Sequence, residues 1–154
     1  MFSQRAGVQL THVPYKGSSQ ALGDVMTGRV TMNFDPMPTV LPHIKSGKLI
    51  ALAISTPSRR PQLPDVPTAA EEGISGMDAP VWVGLVTRAG TPDAVIARLD
   101  EALRKVMANP TLLERLDPLG MAPVAQGPAA FTATLQADAA LWKEAVARGS
   151  ITLN

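Results

Sequence analysis

Cysteine is absent from this chain. The absence excludes a disulfide framework and any thiolate metal site, and it is compatible with a periplasmic or a cytosolic address. Histidine is scarce: His12 and His43 stand on different elements with no Cys, His or carboxylate neighbour at metal-ligand spacing, so both read as structural or surface residues. Charged residues make up only 18% of the chain, with a net charge of +1, which offers neither nucleic acid nor an anionic membrane a strong field. No nucleic-acid partner is expected.

Long apolar runs are missing as well, and none approaches the roughly 20 residues of a membrane span. The opening residues MFSQRAGVQL lack the apolar segment of about 7–15 residues that an export signal needs, so the chain as written reads as soluble and without such a signal. Catalytic signatures are missing too: there is no G-x-S-x-G, P-loop, H-E-x-x-H or G-x-G-x-x-G. Glu71 and Glu72 are adjacent, so on a helix they point about 100° apart and form no acid/base pair. Enzyme activity, a cofactor and a metal are therefore not expected.

What is present is a globular composition. With 154 residues, 45% of them hydrophobic, the chain has the size of one ordinary domain, which typically buries about 68–70% of the surface exposed when unfolded.

The chain is organised around residues 10–36, LTHVPYKGSSQALGDVMTGRVTMNFDP. Leu10, His12 and Pro14 alternate with Thr11, Val13 and Tyr15 along an extended segment, and Lys16 and Gly17 turn the chain towards Ser18, an N-cap candidate. Ala21, Leu22, Val25 and Met26 form one apolar helical stripe, Gly28 can take φ > 0 after the last turn, and Val30, Met32 and Phe34 alternate as in a strand. Asp35-Pro36 opens the next helix, with an acceptor at the N-cap and a fixed φ at N1; Val40, Leu41 and Ile44 are its buried stripe and Gly47 its stop. Two such turns at the carboxyl edge of a parallel sheet bring unpaired N–H groups and positive helix ends to one crevice, whose natural occupant is an anion. Each helix end is worth roughly 0.3–1 kcal/mol to a carboxylate, and about 2 when partly buried.

Elsewhere, Phe2 to Gly7 reads as the tail of a helix, and Leu49 to Ile54 as a strand covered on both faces. Thr56 to Pro67 is a proline-rich loop in which Arg59 and Arg60 read as solvated, followed by a short helix from Ala69 to Gly73. Val81 to Val86 is a further strand. Thr91-Pro92 starts a strongly amphipathic helix through Met107, Asn109-Pro110 starts a short one, and a last helix carrying Phe131, Leu135, Trp142 and Val146 on one face runs to about Arg148. Trp82 and Trp142 read as core residues.

The words of the sequence are more specific than its periodicity. VPYKGSSQALGDVMTGRVTMNFD resembles the second-lobe signature of the Bug-type substrate-binding receptors of tripartite tricarboxylate transporters. The resemblance continues through GKLIALAIS, RRPQLPDVPTAAEEG, VWVGLVTRAGTP and the C-terminal helices, covering essentially the whole chain. It implies an α/β, periplasmic-binding-protein-like (Venus flytrap) fold, represented here by the second lobe and the returning C-terminal segment, with the first lobe largely missing. Residues 1–76 would be the partial second lobe, and 77–154 the crossing strand and the helices that return to the first lobe.

The function so implied is that of the solute-binding component of an uptake system, periplasmic, taking small organic carboxylates and partnered by membrane transporter subunits. Gly17, Ser18 and Ser19 match the family's second-lobe ligand loop, where main-chain N–H groups and a hydroxyl meet a carboxylate. Tyr15 would line the cleft mouth by stacking or through its hydroxyl, while Lys16 reads as solvated. Asp35 matches the second strand-end position, where a carboxylate can face an amino or hydroxyl group of the ligand; a plain helix start explains Asp-Pro equally well. Apolar stripes deprived of the first lobe's sheet lead to the expectation of a homo-oligomer or swapped dimer. The alternative is a non-catalytic, self-associating scaffold or remnant domain without ligand binding.

Overall fold

The computed structural model describes residues 2–77 and 81–149. The elements in order are α1 (Phe2–Ala6), α2 (Ser18–Met26), α3 (Met37–Lys45), α4 (Asp93–Met107), α5 (Pro110–Leu116), a 3-10 turn (Asp117–Leu119) and α6 (Pro128–Gly149). They fall into two compact units, one made of Phe2–Val81 with Leu119–Met121, the other of Trp82–Pro118 and the chain from Ala122 onward.

In the first unit, α2 and α3 end in the same way. Gly28 at φ 76° and Gly47 at φ 72° take the left-handed conformation one residue past the cap. Their N–H groups return to the carbonyls of Val25 and Ile44, at 3.0 Å in each case. The N–H groups of Arg29 and Lys48 reach the carbonyls of Asp24 and His43, at 2.8 and 2.9 Å. Both are Schellman closures, in which a residue free of a Cβ penalty satisfies carbonyls the helix leaves open. The apolar stripes face inward in part: Ala21, Leu22 and Leu41 are buried and Val25, Val40 and Ile44 half-buried, whereas Met26, expected on the α2 stripe, is exposed at the last residue of that helix.

The predicted strands at 10–15, 30–34, 49–54 and 81–86 do not form ladders. Among the described residues the only pairings are isolated bridges, parallel between Ile54 and Thr68 and antiparallel between Arg60 and Leu63. Alternation identifies the apolar side of a segment, but a strand also needs a second backbone alongside it. The faces of these segments are bare as well: Ile50 is 85% exposed and Val83 86%. The expectation that 49–54 is covered on both faces is therefore corrected.

The predicted helix at 69–73 is instead a single closed turn. The Thr68 Oγ1 accepts from the Glu71 N–H at 3.2 Å, and the Glu71 carboxylate accepts from the Thr68 N–H at 2.6 Å. This is the reciprocal geometry of a capping box. Gly73, at φ 80°, stops it before a second turn can form.

In the second unit, α4 begins after Pro92 and α5 is capped by Asn109, whose side-chain oxygen accepts from the Thr111 N–H at 2.9 Å. Both starts agree with the sequence reading. The two tryptophans do not. Trp142 is 53% exposed, although Ala145 one turn further along α6 is buried. Trp82 is 40% exposed and stands edge-on to the Phe131 ring, 5.2 Å between centroids, with its indole N–H donating to Asp138.

Candidate functional site

The start of α2 has the features an anion needs. Its N-cap is Gly17, at φ 177° and ψ 163°, and no side chain caps the helix. Ser18, predicted at the N-cap, is instead the first helical residue, because the extended backbone of Gly17 already places the boundary one residue earlier. The first N–H groups of the helix thus lack a side-chain acceptor, and no acidic residue stands in the first turn to offset the positive end. Gly17, Ser18 and Ser19 are all exposed, and a Cβ built on Gly17 would meet nothing within 4 Å.

The second helix start differs in a similar way. Pro36, at φ −58° and ψ 137°, is the N-cap of α3, so Asp35 sits one residue before the cap and makes no capping bond. Its carboxylate is used otherwise. One oxygen accepts from the Asn33 amide at 2.5 Å, and the other, Oδ1, is buried without a partner. A buried acceptor left without a protein partner costs about 1–3 kcal/mol.

Tyr15 is half-buried, and its hydroxyl donates to Asp24 Oδ2 at 2.7 Å. Asp24 also receives Arg29 Nη1 on its other oxygen at 3.3 Å. Neither Asp24 nor Arg29 stands out in the sequence, because both lie on the polar side of a helix-and-stop pattern and Tyr15 is nine residues away on a different element. The hydrogen bond to Asp24 is the main reason the Tyr15 phenol holds its proton above the usual range. The hydrogen bond from the Tyr15 hydroxyl is the main reason the Asp24 carboxyl lies below its usual range; desolvation opposes it, and the Arg29 guanidinium adds to the lowering.

Other candidates are engaged in the fold or simply solvated. Arg59 lies against the Glu71 carboxylate at 3.0 Å and Arg60 donates to the Gly120 carbonyl at 3.0 Å. Contacts with the Thr68 N–H first, and then with Arg59, hold the Glu71 carboxyl down. Lys16 and His12 are exposed, and His43 is half-buried near the end of α3.

The family description tripartite tricarboxylate transporter family receptor matches residues 1–149. The chain belongs to this receptor family. A Pseudomonas sp. protein from a tcbD-tcbE intergenic region is 33% identical over all of this chain and 46% of its own length. BugT of Bordetella pertussis is 34% identical over 83% of this chain and 39% of its own. The chain thus spans about half or less of the length of these relatives.

Among solved structures, one described as a periplasmic transporter matches with a TM-score of 0.90 and 35% identity, over 99% of this chain and 51% of that one. A Rhodopseudomonas palustris protein solved with adipate gives 0.88 and 29%, over 98% and 50%. MatC from the same organism, solved with bound malate, gives 0.79 and 30%, over 94% and 50%. The fold implied by the sequence, half of a periplasmic-binding-protein architecture, is what these receptor structures share with the chain. Receptors of this family serve transport.

Proposed function

We propose that the chain forms one wall of a carboxylate-binding cleft in a periplasmic solute receptor, which delivers small dicarboxylates to membrane transporter subunits. The observation that carries the reading is the uncapped, exposed N-terminus of α2 at Gly17, Ser18 and Ser19, free of any first-turn acid. Receptors with the same backbone path, solved with adipate and with malate, support the choice of ligand class. Asp35, with its unpaired Oδ1, accepts from a hydroxyl or ammonium group of the ligand.

One wall gives weak binding. Two charge-assisted hydrogen bonds at about 1.5–3 kcal/mol each correspond to a Kd on the order of 1 mM for this chain alone. At about ten times that concentration, adipate and malate should each stabilise the protein by about 1.4 kcal/mol in a thermal melt. The uncharged diamide of adipic acid should do nothing. No stabilisation by either diacid contradicts the reading.

A second reading draws on the bare apolar segments, with Ile50, Leu52, Val81 and Val83 all more than two-thirds exposed. Patches of this kind mark association surfaces, and a homo-oligomer or swapped dimer would cover them. Light scattering at tens of micromolar decides it: a dimer mass supports self-association and a stable monomer removes it.

A further inference from the structure

We propose that Asp24 is a positioning residue for the carboxylate wall: by accepting the Tyr15 hydroxyl it holds the 15–19 turn in the geometry that presents the α2 N-terminus to the ligand. The proposal rests on carboxylate binding at that turn.

Tyr15 stands immediately before Lys16-Gly17, and its single O–H is directed to Asp24 Oδ2 at 2.7 Å. A phenol has one proton, so a hydroxyl committed to Asp24 is not a donor to a ligand carboxylate. Asp24 lies seven residues beyond Gly17, which is about two helical turns and about 10.5 Å along the axis on nearly the same face. The Tyr15 side chain is therefore folded back along the start of α2 and braces the turn against the helix it opens.

Asp24 also anchors the chain leaving the helix. Its carbonyl accepts the N–H groups of Arg29 and Val30 at 2.8 and 3.2 Å, and Arg29 Nη1 meets its Oδ1 at 3.3 Å. One residue thus ties the incoming turn that carries Gly17 to the outgoing segment that leads to Asp35. Glycine at position 17 makes this useful, since an unsupported Gly turn has much backbone freedom to lose when it closes on a ligand. The raised proton affinity of Tyr15, caused first by Asp24, is consistent with the contact.

The test uses the full chain with Asp24→Ala, Asp24→Asn, Tyr15→Phe and the Tyr15→Phe/Asp24→Ala double variant, titrated with adipate. Tyr15 is the only tyrosine, so tyrosinate absorbance reads this one hydroxyl directly. Loss of one hydrogen bond of this class should weaken adipate binding about five- to tenfold in Asp24→Ala. Asp24→Asn, which keeps an acceptor oxygen, should retain most of the affinity. Tyr15→Phe should match Asp24→Ala, the double variant should be no worse than either, and the tyrosine titration should fall towards its ordinary midpoint in Asp24→Ala. Wild-type binding that is undiminished in Asp24→Ala, or losses that simply add in the double variant, overturns the positioning role and leaves the carboxylate reading standing. If the wild-type chain binds neither adipate nor malate, the carboxylate reading falls and this proposal falls with it.

Discussion

Tyr15 Oη and Asp24 Oδ2 are 2.7 Å apart, which joins the last residue of an extended segment to the body of the helix that follows it. The contact sets a pH signature. The Asp24 carboxyl is held below its ordinary range, so its stabilising effect is present above the unfolded value of about 3.9 and is lost as pH falls through the folded value. The Tyr15 phenol is held above its ordinary range, so its effect is present below about 10 and is lost as pH rises through the folded value. The stability difference between wild type and Tyr15→Phe should therefore be flat across neutral pH and shrink at both extremes. Urea melts across the range measure it; a difference independent of pH would contradict the contact.

Ser18→Asp separates stability from binding. A carboxylate in the first turn of α2, where no acid now stands, should stabilise the helix by about 0.3–1 kcal/mol. The same charge repels a carboxylate ligand. A protein with an equal or higher Tm that no longer responds to adipate is the expected outcome, and a stabilised protein with unchanged response would place the ligand elsewhere.

Asp35 should discriminate among diacids. If the buried Oδ1 takes a ligand hydroxyl as proposed, malate should bind several-fold more tightly than succinate, and Asp35→Ala should remove the difference. Equal affinities in the wild type would mean that Asp35 plays no part in selection.

Much of the first unit was legible from sequence because its signals are local. Gly28 and Gly47 announced the two helix stops, and Ala21, Leu22 and Leu41 the buried stripes. Cap positions slipped by one residue at both Ser18 and Asp35, since an extended Gly17 and a non-helical Pro36 hold the boundary in each case. The strands were misread for a different reason. Residues 49–54 have the composition of a covered strand and 81–86 that of a strand, but a ladder needs a neighbouring backbone and a covered face needs a packed layer, and a sequence pattern does not show whether either is alongside. The Tyr15 to Asp24 contact links a segment to a helix nine residues on, at a spacing that follows neither the helical nor the strand period, so it left no periodic trace.

Gly120 gives a test of packing in the first unit. It sits at φ 71°, its carbonyl accepts Arg60 Nη2, and a Cβ there would overlap the Met37 sulfur. Gly90, at φ 83°, has open space around it. Gly90→Ala should cost about 1–2 kcal/mol for the left-handed backbone alone, and Gly120→Ala more than that, because the Met37 side chain must also move aside. Met37→Ala should recover the extra part. Equal losses at the two glycines would show that the Met37 packing is not tight.

The measurement that bears most directly on the carboxylate wall is an amide NMR titration of the chain with adipate up to about ten times the millimolar Kd estimated for one wall. The expected result is saturable shifts of the Gly17, Ser18 and Ser19 amides, abolished by Ser18→Asp and absent with the neutral diamide. Shifts confined to other residues, or no shifts at saturating diacid, would contradict the assignment of this helix start as the ligand site.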